Sequence, residues 1–242
     1  MGNSSLRKAA KVKNDEFYTV YNYIQNEMNA YLEYDSDVFR DKVVLLPCDD
    51  PEWSNFTKYF AQNFERLGIK KLISTSYSLN RKKEKYGQYY QMSIFNEEIK
   101  VDEKKEMANG KIFTLTRSDN KSKKIDYNDL KWDYLDGDGD FRSDEVTKLR
   151  DEADIIITNP PFSLFREFVN WVLSAEKKIV VIGTQNAITY KEIFPLIKDD
   201  KLWLGATANN SDMVFGVPEG AKISEKDKKK AEKLGYVGNY TR

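Results

Sequence analysis

Apolar residues recur along this chain in two rhythms, and the alternation between them predicts its elements. From Val20 they fall at Tyr23, Ile24, Met28, Tyr31 and Leu32, close to helical spacing, which predicts a helix after Thr19. "KVVLLPCDDP" then packs Val43 to Leu46 into an unbroken apolar run halted by Pro47, the pattern of a strand buried on both faces. In "NFTKYFAQNFERLG" the residues Phe56, Tyr59, Phe60, Phe64 and Leu67 share one helical face, and Gly68 stops the pattern. "KKLISTSY" is the next strand. Strand, helix, glycine and strand make a βαβ unit, so the two strands should lie parallel.

Between residues 80 and 131 the rhythm gives way to charged clusters. "QYYQMSIF" and "KIFTLT" flank "EMANGK", whose Asn109-Gly110 is a hairpin-turn signal, and the stretch reads as an inserted β-hairpin with loose ends. Alternation then resumes: a short helix in "SDEVTKLRDEA", a buried strand in "DIIITNPPF", and an amphipathic helix with Leu164, Phe165, Phe168, Val169, Val172 and Leu173 inward. "KKIVVIGTQNAI" predicts another strand, "KEIFPLIKDD" a short helix, and "KLWLGA" and "DMVFGVP" further strands before a lysine-rich end. The order is that of an α/β protein built on a mostly parallel sheet.

Composition narrows the chemistry. Lysine plus arginine equals aspartate plus glutamate at 39 each, so no global field draws the chain to a polyanion, and any such contact is local. Aromatic residues make up 13% of the 242, enough to exclude a disordered chain. There is one cysteine, Cys48, and no histidine, which removes disulfide frameworks, histidine zinc sites, Ser-His and Cys-His nucleophiles and imidazole acid–base catalysis. No apolar run approaches the length of a membrane span and the N-terminal stretch is polar and basic, so the expectation is a cytoplasmic protein with no membrane partner.

Open parallel sheets bind ligands outside the carboxyl ends of their strands. The constrained polar stretches cluster at those ends: "PCDDP" after the first strand, "STSY" after the second, "GDGDF" ahead of a helix and "TNPPF" after the fourth, and one crevice would collect them. Asn159-Pro160-Pro161-Phe162 is the most specific. Two prolines after a buried run abolish two donors and forbid sheet and helix locally, which fixes one amide and one ring at the strand's end. The plain alternative is a proline-stiffened helix cap. The chemical reading is that an exocyclic amine on an aromatic base is a poor nucleophile, because its lone pair is delocalised. The Asn159 side-chain oxygen and the Pro160 carbonyl could accept both amine hydrogens and expose that lone pair, while Phe162 stacks on the base.

The other stretches stay open between readings. "PCDDP" is either a turn with an aspartate cap or a carboxylate loop gripping a cation or ribose hydroxyls; it lacks the glycines of a phosphate cradle. "DGDGDF" has Phe141 where a calcium loop needs glycine and Thr147 where it needs glutamate. It is a solvated acidic turn or an adenine-binding pair, Asp140 accepting and Phe141 stacking. The lysine-rich stretches 81–85, 121–124 and 227–233 are solvated faces or phosphate contacts.

With "DEFYT", "CDDPEWSNFTKYFAQNF", "LGIKKLISTSY", "DGDFRSDEV", "ADIIITNPPFSLFREFV" and "NAITYKEIF" in order, the chain from about Asn14 onward resembles the EcoRI-type adenine-specific DNA methyltransferase family. The resemblance implies a Rossmann-like class I fold, a mostly parallel twisted sheet with helices on both faces. It also implies transfer of a methyl group from S-adenosyl-L-methionine to the N6 amine of adenine in double-stranded DNA, with base flipping. By position, Phe17, Tyr18 and Thr19 would hold the methionine part of the cofactor. Pro47, Cys48, Asp49 and Asp50 would form the first-strand loop, Thr75 and Ser76 would lie near the ribose, and Asp140 and Phe141 near the cofactor's adenine. Asn159, Pro160, Pro161 and Phe162 would be the target-amine clamp, Asn159 also lining the cofactor site; no metal is called for, because a sulfonium is already activated. A glycine-rich first-strand loop, common in the wider class, is absent. The resemblance divides the chain into a flexible tail, 1–13, a catalytic domain, 14–220, with the insertion at about 80–131, and a charged segment, 221–242. That segment would open a target-recognition region expected further on or supplied by a partner. A cognate restriction endonuclease is the other expected companion. The rival readings are a methyltransferase for RNA or a protein glutamine amide, and an inactive remnant that binds cofactor or DNA.

Overall fold

The computed structural model describes residues 18–78, 102–117, 131–206, 213–217 and 223–241. Phe17, the tail 1–13, "QYYQMSIF" and the lysine stretches 81–85 and 121–124 lie outside the described residues. In chain order the elements are β1 (Tyr18–Thr19), α1 (Tyr21–Tyr34), β2 (Val43–Leu46), α2 (Asn55–Gln62), β3 (Lys71–Ser76), α3 (Glu103–Ala108), β4 (Lys111–Thr116), β5 (Asp133–Tyr134), α4 (Asp144–Glu152), β6 (Ile155–Thr158), α5 (Phe165–Leu173), β7 (Lys178–Val181), α6 (Phe194–Lys198), β8 (Phe215–Gly216), α7 (Glu225–Lys233) and β9 (Tyr240–Thr241).

Six strands form the main sheet in the order β5-β4-β3-β2-β6-β7. β2 lies parallel to β3 on one side and to β6 on the other, and β6 is parallel to β7. β4 and β5 extend the edge, with β4 antiparallel to both its neighbours. Every residue of β2 and β6 is buried, as continuous apolar runs require. Alternate side chains go to opposite faces. Val44, Leu46, Leu72, Ile155 and Ile157 pack with Ile24 and Met28 of α1 and Phe56, Tyr59 and Phe60 of α2. Val43, Leu45, Ile73 and Ile156 pack with Val146 of α4 and Phe168 and Val172 of α5. The sheet therefore carries helices on both faces. The chain leaves β2 towards β3 and later returns to β6 on the opposite side of β2, so the topological switch point lies at the carboxyl ends of β2 and β6.

Two expected elements take a different form. Asn109-Gly110 is not a hairpin turn: residues 103–108 are helical, Asn109 caps that helix, and "KIFTLT" is β4, paired along its whole length with β3. The Asn109 side chain donates to the carbonyls of Leu135 and Asp136, at 2.8 and 2.9 Å. A Cβ on Gly110 would stand 2.4 Å from the Ser76 carbonyl oxygen, so glycine is needed there for close approach. "KLWLGA" is no strand; Lys201 and Leu202 turn back to the Leu196 carbonyl, and Trp203 is 67% exposed.

A second sheet of two-residue strands, β1-β8-β9, is antiparallel throughout. It pairs Tyr18 with Gly216 and Thr19 with Phe215, then Phe215 with Thr241. Part of the lysine-rich end is α7, whose Ser224 cap accepts from the Asp227 backbone N–H at 3.1 Å. No described helix is long and apolar enough to cross a membrane.

Candidate active site

β6 stops at Thr158 because Pro160 and Pro161 carry no N–H. Phe162–Leu164 forms one 3₁₀ turn, closed by the Leu164 N–H to the Pro161 carbonyl at 2.9 Å, and α5 follows directly. Both prolines are buried, while Asn159 and Phe162 are half-buried. The Phe162 ring meets Phe215 of β8 edge to face, with centroids 6.4 Å apart. Asn159 and Phe162 thus bracket the proline pair at the switch point.

The first-strand loop closes on the same place. Cys48 N–H donates to Thr158 Oγ1 at 3.2 Å, and Thr158 Oγ1 donates to Asp49 Oδ2 at 2.5 Å. Asp49 Oδ1 accepts from Ser54 Oγ at 2.6 Å, and Ser54 also caps α2 by accepting from Phe56 N–H at 3.0 Å. Ser74 Oγ of β3 donates to the Asp49 carbonyl at 2.5 Å and lies 2.8 Å from Thr57 Oγ1. Thr75 Oγ1 donates to the Pro47 carbonyl at 3.1 Å. Burial pushes the Asp49 carboxyl up to about 6, against hydrogen bonds from Ser54, Thr158 and the Asn159 backbone, with the Asp50 charge adding to the rise. Asp49 is thus a buried junction of β2, α2 and β6.

At the end of β3 the backbone runs close to the 137–141 loop. A Cβ on Gly139, whose φ is +80°, would lie 2.1 Å from the Ser76 carbonyl oxygen, and Ser78 N–H donates to the Asp138 carbonyl at 2.8 Å. Asp140 is buried and paired in two-pronged fashion with Arg142, at 2.9 and 2.7 Å. Phe141 is a core side chain, wholly buried and edge-on to Phe168 and Trp171. Of the expected adenine pair, Asp140 and the backbone remain beside the strand ends, and the ring does not face them as a free platform. Next to this corner Lys111 is buried between Glu52 and Glu106, with its ammonium 4.2 Å from the Trp132 ring centre. Burial draws the Lys111 pKa down, but the charges of Asp50 and Glu52 and the hydrogen bonds to Glu52 and Glu106 leave it raised.

Tyr18 and Thr19 reach the site through the small sheet. Asn55 at the start of α2 donates to the Thr19 carbonyl at 2.8 Å, and Thr19 pairs with Phe215, the residue that meets Phe162. The hydroxyls of Thr19 and Ser76 are buried without a hydrogen-bond partner among the described residues. Leaving such a group unpaired costs about 1–3 kcal/mol, and polar groups of a bound cofactor would relieve it. These two hydroxyls, with Asp50 and Asp140, make a donor and acceptor set that fits a polar cofactor carrying hydroxyls and an amine.

All the expected site residues that are described therefore gather around the ends of β2, β3 and β6, Phe141 doing so from within the core. Thr158, Ser54, Ser74, Asn55, Arg142, Lys111 and Phe215 were not singled out beforehand. Thr158 and Ser74 carried a usable signal, a hydroxyl ending an apolar run; Phe215 carried none.

The geometry defines an open α/β protein whose polar residues converge at the switch point of its sheet. The chain belongs to the family described as adenine-specific methyltransferase EcoRI, whose model matches residues 5–239. It is 43% identical to the Type II methyltransferase M.EcoRI of Escherichia coli over 223 residues, 90% of this chain and 60% of that one. It is 34% identical to Type II methyltransferase M.MpnI of Mycoplasma pneumoniae, covering 90% of this chain and 55% of that protein. It is 31% identical to Type II methyltransferase M.MgeORF184P of Mycoplasma genitalium, covering 98% of this chain and 64% of that protein. The chain thus spans between 55% and 64% of the length of these curated relatives. No solved structure matches it.

Proposed function

We propose that this chain is the catalytic part of an adenine-specific DNA methyltransferase with a Rossmann-like class I fold. Its methyl donor is S-adenosyl-L-methionine and its substrate the N6 amine of an adenine flipped out of double-stranded DNA. A restriction endonuclease of the same specificity is its companion, and target recognition draws on a region beyond the segment 221–242 or on a partner.

The donor, when bound, supplies a methyl group on a positively charged sulfur. Everything else is the work of the chain's residues. Asn159 accepts one amine hydrogen on its side-chain oxygen and the Pro160 carbonyl accepts the other, which draws the nitrogen towards tetrahedral geometry. Phe162, seated against Phe215, stacks on the flipped base, and Pro161 keeps the turn stiff. Tyr18, Thr19, Thr75 and Ser76, with the Pro47–Asp50 loop and Asp140, hold the cofactor across the strand ends; Phe17 joins them by its place in "EFYT". The loss of base stacking falls on the DNA, and the half-buried Phe162 ring offsets it in kind.

One observation carries this reading: half-buried Asn159 and Phe162 flank two buried prolines at the switch point, within a chain of the EcoRI methyltransferase family. The test is tritiated methyl transfer to unmethylated duplex DNA, with RNA and protein glutamine substrates beside it. Asn159→Ala is expected to slow transfer about a hundredfold, or about 3 kcal/mol, with an unchanged unfolding midpoint. Equal nonzero rates for the two proteins would remove the clamp role, and transfer to RNA or glutamine alone would replace the substrate.

A further inference from the structure

Asp49 lies behind the clamp and grips it from the protein side. One carboxylate oxygen accepts from the Thr158 hydroxyl, on the residue just before Asn159, and the Asn159 backbone N–H is a further donor to the same group. The other oxygen is tied to Ser54 at the start of α2, and the Asp49 carbonyl is tied to Ser74 of β3. The loop is pinned from three directions, so the carboxylate is a fixed point against which the end of β6 is set.

Resting on the amine-clamp reading above, we propose that Asp49 is a positioning residue for methyl transfer: its ionised carboxylate holds Thr158 and the Asn159 N–H and so sets the bearing of the Asn159 carboxamide. The role depends on ionisation for a geometric reason. A carboxylate accepts on both oxygens, whereas a carboxylic acid must place a hydrogen in one of these contacts. The hydroxyls of Ser54 and Thr158 can rotate and accept that hydrogen. The Asn159 N–H cannot reverse its role and on protonation meets a neutral oxygen in place of a charged one, so its contact is the one that weakens.

The groups facing the carboxylate are Ser54 from α2, Thr158 and Asn159 from β6 and its exit, and Asp50 from its own loop, whose charge in turn faces Lys111 of β4; Ser74 of β3 holds the Asp49 backbone carbonyl instead. With burial placing the carboxyl near 6, the loosening falls in the mildly acidic range.

Single-turnover transfer to duplex DNA, measured from pH 5 to 9 at saturating and limiting S-adenosyl-L-methionine, gives one readout. The wild type is expected to lose about tenfold in rate per pH unit below about 6. Asp49→Asn is expected to be slower on the order of thirty- to a hundredfold at pH 7.5 and to lack that acid limb, at saturating as well as limiting donor. Thr158→Val should lower the rate while keeping the limb. A second readout needs no turnover: the side-chain amide resonance of 15N-labelled Asn159, assigned by its loss in Asn159→Ala. It should shift with a midpoint near 6 in the wild type and stay flat in Asp49→Asn. A wild-type rate with an intact limb in Asp49→Asn, or an Asn159 resonance indifferent to pH, would overturn the proposal. A wild type that transfers no methyl at any pH would overturn the methylation reading alone, and the resonance would still decide whether Asp49 sets Asn159.

Discussion

The two sides of the candidate crevice treat their polar atoms in opposite ways. At the ends of β2 and β6, Asp49, Ser54, Thr57, Ser74 and Thr158 bond to one another across four elements. At the ends of β1 and β3, the equally buried hydroxyls of Thr19 and Ser76 have no partner among the described residues. A network closed on itself holds geometry, whereas unsatisfied hydroxyls are positions at which a ligand gains affinity by completing them. On the function proposed above, the closed side would carry the clamp and the open side would receive most of the cofactor.

The largest effect should come from the glycine at the corner between the sides. Gly139→Ala forces a Cβ into the Ser76 carbonyl at a positive φ, and denaturant unfolding should report a loss on the order of 3 kcal/mol. A loss under about 0.5 kcal/mol would mean that this corner is slack and the comparison ill drawn.

The closed side also contains one costly member. An aspartate whose folded carboxyl sits near 6, above the ordinary 3.8, binds its proton more tightly folded than unfolded. Its ionisation therefore lowers stability as pH rises through the window from about 4 to 6, and the penalty, on the order of 3 kcal/mol, is fully present above that window. Asp49→Asn has no such ionisation, so its stability relative to wild type should climb across that window and then level off. Unfolding curves at pH 4, 5, 6 and 7.5 check the sign. A difference that falls with pH would contradict the burial argument.

The comparison sharpens most with a matched pair of isosteric changes. Thr57→Val removes a hydroxyl that is bonded to Ser74 and should cost about 1–3 kcal/mol. Thr19→Val removes one with no partner among the described residues and should raise stability by about 1–3 kcal/mol, the cost of the unpaired hydroxyl. Calorimetric titration with S-adenosyl-L-methionine should show the reverse ranking, with Thr19→Val weaker severalfold and Thr57→Val close to wild type. Equal stability losses would erase the distinction between the sides.

Much of the frame was legible from residue order. β2, β3 and β6 are short runs whose burial leaves little alternative, β7 is a β-branched run at the sheet's edge, and α2 and α5 announce themselves by one-sided aromatic spacing. Asn159 to Phe162 was legible because two prolines after a buried run have few structural uses. What was hidden depends on pairing across long separations. The Thr158 and Asp49 contact joins positions 109 residues apart, and no local pattern encodes it. β8 and β9 are too short for any periodicity, and Asn109-Gly110 advertised a turn while serving a helix end and a close backbone approach. "KLWLGA" had a strand's composition but no strand to pair with among the described residues.

The small sheet has a kinetic consequence. Tyr18 meets Gly216, so its first pairing closes a loop spanning most of the polypeptide, and the ladder that rewards this closure is two residues long. Such a ladder has little strength of its own and assembles late, onto a body already made by the local βαβ contacts. Since Phe215 belongs to it, a newly synthesised chain acquires its packed sheet first and the support under the Phe162 ring last.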